Sequence, residues 1–118
     1  MSGIVGYHAG LAAEDIVAQD YARREHDIAA RRWRGKSGEI DLITREGDTV
    51  VFVEVKKSRS FATAAARLGR RQMERIVCSA SEFLAGEPRG QLTDVRFDLA
   101  VVNGFGGLKV IENAFMEM

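Results

Sequence analysis

Asp41, Glu54 and Lys56 are the residues of this chain whose types and spacing could do chemistry together. Glu54 and Lys56 interrupt "VVFVEVKK" (50–57), an apolar run whose Val and Phe suit a pleated, half-buried surface. A charge set against a core is costly unless it pairs, neutralises or binds a metal. Asp41 stands thirteen residues before Glu54 in a second apolar run, "GEIDLI" (38–43), which also carries Glu39. Carboxylates held close together repel, and each raises the other's pKa unless a cation intervenes. One lysine does not balance three acids, whereas a divalent, oxygen-seeking ion completes the balance. Mg²⁺ (or Mn²⁺) fits, because Mg²⁺ binds through one or two carboxylates and keeps waters and phosphate oxygens in its shell. Such an ion polarises a phosphodiester and makes a nucleophile from water at neutral pH. Lys56 would orient or deprotonate that water and offset the charge building on a phosphorane-like transition state. The plainer alternative is an exposed Glu54–Lys56 ion pair, worth at most about 1 kcal/mol.

These side chains meet only if the two runs form a hairpin. Residues 38–57 read as two strands around a turn at "REGD". Alternation puts Ile40 and Leu42 on one face and Glu39, Asp41 and Ile43 on the other; on the second strand Val51, Val53 and Val55 oppose Phe52, Glu54 and Lys56. A two- or four-residue connection centred on Glu46 and Gly47 pairs 41 with 52 and 39 with 54, and collects the charged residues on one face. An odd-length connection without a bulge would split them.

The flanking elements follow from periodicity. Ala13, Val17 and Tyr21 recur at four-residue spacing and predict a helix over 9–25, with Glu14 bordering its buried stripe. "DIAARRWR" (27–34) reads as an Arg-rich edge strand. "SRSFATAAARLG" is mobile or partly helical, and Met73, Ile76, Val77, Ala80, Phe83 and Leu84 stripe a second long helix over 70–85. Two more strands, 95–103 and 108–115, are joined by "GFGG", a hairpin connection lacking the lysine and helix of a phosphate loop. The expected class is α/β, with a mixed sheet of about five strands flanked by two long helices.

At 118 residues the chain is read as a single domain, 1–118. No run approaches the roughly 18 apolar residues of a membrane span, and the first ten residues lack the order of a secretory signal, so a cytoplasmic protein without a membrane partner is expected. Cys78 has no second cysteine and is read as a small packed hydrophobe. His8 and His26 have no partner at metal-ligand spacing and are given surface or local hydrogen-bonding roles. Net charge is zero, yet residues 23–75 hold 14 of the 17 Lys and Arg and 8 of the 17 acids, net +6 against −6 elsewhere. Such asymmetry can give a phosphate-binding face, and equally an ordinary salt-bridged surface. Trp33, between Arg32 and Arg34, could stack a base, although burial of a strand aromatic is the commoner fate.

An acid on one strand followed by Glu-x-Lys on the next resembles the PD-(D/E)xK superfamily, which has the fold of type II restriction endonucleases and Holliday junction resolvases. More closely, "GEIDLI", "VFVEVK", "RRQMERIVCSASEFLAG", "RFDLAVV" and "NAF" resemble the YraN family of small bacterial proteins, over about residues 10–115. An endonuclease activity is the standing expectation for that family. The resemblance implies a restriction endonuclease-like core, with Asp41 and Glu54 as metal ligands and Lys56 as catalytic lysine. It also implies a catalytic helix-borne acid at Glu14, a further or alternative ligand at Glu39, and a polar contact to the site or a phosphate from Gln72. For Glu14 and Gln72 a plain exposed helix position fits equally. No proline precedes Asp41, so the nominal "PD" is absent.

The expected function is therefore Mg²⁺- or Mn²⁺-dependent hydrolysis of phosphodiester bonds in DNA, branched or junction DNA included, with RNA the second choice. Arg32, Arg34, Lys57, Arg71 and Gln72 are the candidate nucleic-acid contacts. A homodimer suits the cutting of two strands. The alternatives are a non-catalytic nucleic-acid-binding module on the same fold and a purely structural or protein-interaction domain.

Overall fold

The computed structural model describes the backbone of residues 2–115 and the side chains of 12–115; the side chain of His8 lies outside these. Among the described residues, the chain runs α1 (Ser2–Arg23), β1 (Asp27–Gly35), β2 (Gly38–Glu46), β3 (Thr49–Lys57), α2 (Phe61–Arg67), α3 (Arg70–Leu84), a 3₁₀ turn (Gly90–Leu92), β4 (Val95–Val102) and β5 (Leu108–Ile111). One sheet takes the strands in order β1-β2-β3-β4-β5, parallel between β3 and β4 and antiparallel elsewhere. A mixed α/β fold of five strands is what the sequence pattern called for. None of the described helices is long and apolar enough to cross a membrane.

Each face of the sheet is covered by one long helix. Ala13, Val17 and Tyr21 of α1 pack with Leu42, Val51, Val53, Ala100 and Val102. Ile76, Ala80 and Leu84 of α3 pack with Ile40, Ile43, Val50 and Phe52, and rings of Trp33, Phe83, Phe52, Phe97 and Phe115 run through this layer in successive contact. α1 starts earlier than expected and ends two residues sooner. Glu25 turns left-handed (φ +67°), its N–H donating to Ala22 O and that of His26 to Tyr21 O, the pairing that closes a helix with a Schellman turn. β5 stops four residues short of 115 because Asn113 (φ +55°) reverses the chain. Its N–H then donates to Asp98, and Phe115 returns into the α3 layer. Cys78 is exposed rather than packed, with the Ser37 hydroxyl donating to its sulfur at 2.9 Å. His26 is buried and makes the local contact expected of it, Nδ1 to Thr44 Oγ1 at 2.8 Å.

The hairpin departs from the expected register. Gly47 and Asp48 form the connection, Glu46 facing Thr49, and Gly47 takes a φ of +59° that an L side chain resists. Leu42 therefore faces Val53 and Ile43 faces Phe52, two places away from the expected pairing. A shift of two keeps every side chain on its face, and it brings Asp41 level with Glu54 instead of Phe52.

A second departure lies at Asp41 itself. Ile40 and Leu42 were expected on one face, yet Ile40 packs in the α3 layer and Leu42 in the α1 layer. The same inversion occurs on β1: Arg31 pairs with Asp15 of α1, while Trp33 packs edge-on to Phe83 of α3. Arg31 faces Leu42 and Trp33 faces Ile40, so Arg32 and Asp41 occupy the level at which both strands change sides. Arg32 is left-handed there (φ +52°), a conformation that costs a non-glycine residue about 1–2 kcal/mol. This backbone strain gives a test by urea unfolding. Arg32→Gly should be more stable than Arg32→Ala by about 1 kcal/mol, the reverse of their usual order in a strand. Alanine being equal or better would show that no strain is held at this level.

A carboxylate cluster where two strands part

Ladder pairing between β2 and β3 stops at Leu42 and Val53. Beyond it the Val55 N–H donates to Asp41 Oδ2 at 2.8 Å, so a side-chain carboxylate replaces the strand partner that the amide would otherwise need. This places the Asp41 carboxyl within hydrogen-bonding reach of the Glu54 carboxyl. Glu54 is buried and faces Leu99 across β3 and β4, while Lys56 faces Val101; Leu99 and Val101 belong to one cluster beneath α2. Glu54 and Lys56 thus share the α2 and α3 side, as strand alternation predicts. Gln72, in the first turn of α3, reaches down from that side, and its Nε2 donates to Glu54 Oε2 at 2.5 Å. A helix N-terminus also favours a nearby carboxylate through its dipole.

Burial and the Glu54 carboxylate push the Asp41 pKa up to about 8, opposed by the Val55 hydrogen bond. Glu14, on α1, is raised as well, first by burial and next by the charge of Asp41. Its Oε2 is buried with no hydrogen-bond partner among the described residues, the Arg32 Nε standing off at 4.0 Å. Glu14 thus lies close enough to Asp41 for the two charges to interact.

Glu39 is not brought onto Glu54. It is drawn to the arginines of β1, Arg32 Nε at 3.1 Å and Arg34 Nη2 at 3.7 Å, though its charge still raises Asp41. The half-buried Lys56 side chain makes no ion pair or hydrogen bond among the described residues, so its ammonium is not committed to either acid. Lys57 and Arg71 are exposed. Arg32 and Arg34 lie along β1 beside Glu39, Arg32 also standing 4.0 Å from Glu14, and Gln72 of the candidate nucleic-acid set hydrogen-bonds Glu54.

Among the described residues, no three His, Cys, Asp or Glu side chains converge tightly enough to hold a metal ion by themselves. The donor set nonetheless suits a hard divalent ion. Asp41 and Glu54 supply two carboxylates that cannot both ionise cheaply, and Mg²⁺ takes one or two protein ligands, completing its shell with water and phosphate. Asp98 provides the contrast within the same sheet. It is wholly buried, and it accepts from Tyr21 Oη (2.6 Å), Arg96 Nε (2.9 Å) and Nη2 (3.0 Å), and the Asn113 N–H (3.0 Å). The sequence reading passed over this acid, although an Asp in the apolar run "RFDLAVV" carries the same signal as Glu54 in "VFVEVK". Its donors saturate it, so its role is structural.

The sequence matches the model of Uncharacterised protein family UPF0102 over residues 13–102. The chain belongs to the UPF0102 family. A UPF0102 protein of Cereibacter sphaeroides is 66% identical over 115 residues, covering 98% of each chain. One of Ruegeria pomeroyi is 59% identical over 113 residues, covering 96% of this chain and 92% of that one. One of Dinoroseobacter shibae is 47% identical over 108 residues, covering 92% and 81%. The UPF0102 match spans Glu14, Asp41, Glu54, Lys56 and Gln72, so the whole cluster lies inside the family's own segment.

The raised Asp41 pKa has a sign that thermal unfolding can read. In the metal-free protein the folded state holds a proton on Asp41 between about pH 4, where the unfolded chain releases it, and about pH 8. The stability this group contributes is complete below that window and is lost as pH rises through it. In the presence of a chelator, Asp41→Asn should raise Tm by roughly 5 °C at pH 9 and change it little at pH 4. Equal effects at both pH values would show that Asp41 titrates as an ordinary carboxylate.

Proposed function

We propose that this protein is a Mg²⁺- or Mn²⁺-dependent nuclease of the restriction endonuclease-like class, hydrolysing phosphodiester bonds in DNA, in the cytoplasm. The observation that carries the reading is the meeting of Asp41 and Glu54 where β2 and β3 part, with the uncommitted Lys56 two residues beyond Glu54 on the same side of the sheet. Ordinary surface carboxylates do not repel each other in a buried site, and structural ones are saturated as Asp98 is.

Asp41 and Glu54 would hold the ion. When bound, it supplies positive charge to a phosphodiester oxygen and acidity to a neighbouring water. The chain's own residues do the rest. The Val55 N–H fixes the Asp41 carboxyl and Gln72 fixes that of Glu54, so neither has to reorganise when charge develops. Lys56 Nζ orients the attacking water and offsets the negative charge on the pentacovalent transition state. As the water oxygen bonds to phosphorus it gives up a proton to solvent, the bond from phosphorus to the leaving oxygen breaks, and that oxygen takes up a proton from solvent as it departs. Glu14, whose pKa is raised by burial and by the charge of Asp41, stands at the cluster's α1 side. The exposed Arg71, next to Gln72 on α3, and the exposed Lys57, on the α1 side of β3, offer phosphate contacts.

The test is cleavage of labelled duplex, single-stranded and branched DNA with Mg²⁺ or Mn²⁺. Wild type should cut at least one substrate, and EDTA should stop it. Asp41→Asn and Lys56→Ala should each lose roughly 100-fold or more in rate while their circular dichroism stays native. Salt-sensitive binding without cleavage, indifferent to EDTA and to Asp41→Asn, would replace this reading with that of a non-catalytic nucleic-acid-binding module.

A further inference from the structure

We infer that Phe105, at the tip of the β4–β5 connection, is a base-stacking side chain that selects nucleic acids with an unstacked base beside the carboxylate cluster. The inference deepens the nuclease reading and rests on it for the class of ligand.

Phe105 is 99% exposed, the most exposed of the large apolar side chains described. An aromatic ring left wholly in water serves no core. The backbone that carries it is nevertheless built with care. Asn103 Oδ1 accepts from the N–H of Phe105 (2.9 Å) and of Gly107 (2.8 Å), and the Asn103 N–H donates to Gly107 O at 2.9 Å. Gly106 is left-handed (φ +80°), and a Cβ at Gly107 would stand 2.6 Å from Asn103 Nδ2. The loop is thus held in one shape, and the large side chain it presents is an open ring face.

Its position gives that ring a use. Lys57, the last residue of β3, faces Val102, the last of β4, so the loop springs from the C-terminal end of the parallel strand pair. Ligands of open α/β sheets bind at that end. Lys57 shares a depression of about 220 Å³ with Gly104, Gly106 and Ala13, and Ala13 precedes Glu14 on α1. Glu54 lies three residues before Lys57, about 10 Å along the strand. Lys57 faces Val102 on the α1 side, the side from which Glu14 borders the cluster, so a strand whose phosphate reaches the cluster from that side would pass Lys57 and present its neighbouring base to the loop. Residues 102–109 contain no acid to repel it. A stacked duplex interior offers no base face, so a single strand, gap or branch point is selected. An anionic membrane also attracts aromatic and basic side chains, but interfacial binding scales with the apolar area inserted. One phenylalanine between glycines inserts little, and the other exposed large apolar residues described, Ile28, Leu92 and Val95, lie outside the loop.

Fluorescence anisotropy in EDTA, with the full chain and fluorescein-labelled single-stranded, gapped and fully duplex DNA of one length, tests this. Phe105→Ala should bind the single-stranded and gapped probes about tenfold more weakly than wild type, as expected for one lost base–aromatic stack, and the duplex within about twofold. Phe105→Trp should restore binding, and its added emission should be quenched by the single strand. Equal affinity of Phe105→Ala and wild type for every probe would overturn the stacking role, and Asp41-dependent cleavage surviving beside it would leave the nuclease reading standing. Wild type binding none of the probes would overturn both. A blue shift of Phe105→Trp on phosphatidylserine vesicles, without a response to DNA, would assign the loop to a membrane and overturn the inference.

Discussion

The Val55 N–H to Asp41 hydrogen bond is the constraint on which the rest of the site depends. A buried amide must have an acceptor, and a strand supplies one from its neighbour's backbone. Here the neighbour diverges, and a carboxylate takes its place. Substitution of a side chain for the ladder lets β2 and β3 part without leaving the amide unsatisfied, which costs about 1–3 kcal/mol when it happens. It also fixes Asp41 against Glu54, an arrangement that two free carboxylates would avoid. The left-handed Arg32 and the change of face on β1 and β2 belong to the same event, since both fall at the level of Asp41.

The acids in and beside this sheet differ in how their charge is met. Asp98 is surrounded by donors from Tyr21, Arg96 and Asn113, and its charge is settled within the protein. Asp41 accepts from the Val55 amide and Glu54 from Gln72, and Arg32 stands 4.0 Å from Glu14. Burial and mutual repulsion raise the pKa of Asp41 and of Glu14. Under the proposed function, a divalent ion held there would favour the ionised carboxylates, and its binding would depend on pH.

Much of this was legible in the sequence. The α3 stripe from Met73 to Leu84, the hairpin, and the shared side of Glu54 and Lys56 follow from periodicities of 3.6 and 2 and were found where expected. The hairpin register was missed by two because "REGD" was centred on Glu46 and Gly47, whereas the positive φ falls on Gly47 as the first residue of a two-residue turn. The error was harmless to side-chain faces, since two is the strand period. The inversion at Asp41 was invisible, because it arises from a left-handed arginine, and no residue type in "ARRWRG" announces one. Glu39 illustrates the same limit: alternation grouped it with the acids, but the arginines made available by that inversion hold it. Family membership was legible from "GEIDLI" and "VFVEVK", and the match over residues 13–102 bears it out.

The most direct measurement is a carbon-13 NMR titration of the Asp41 side-chain carboxyl, first free of metal and then with saturating Mg²⁺. The predicted result is a midpoint near 8 without the ion, falling to the ordinary carboxylate range near 4 when it is present. A midpoint near 4 in both titrations, indifferent to Mg²⁺, would contradict the convergence of Asp41 and Glu54 and the metal-dependent chemistry built on it.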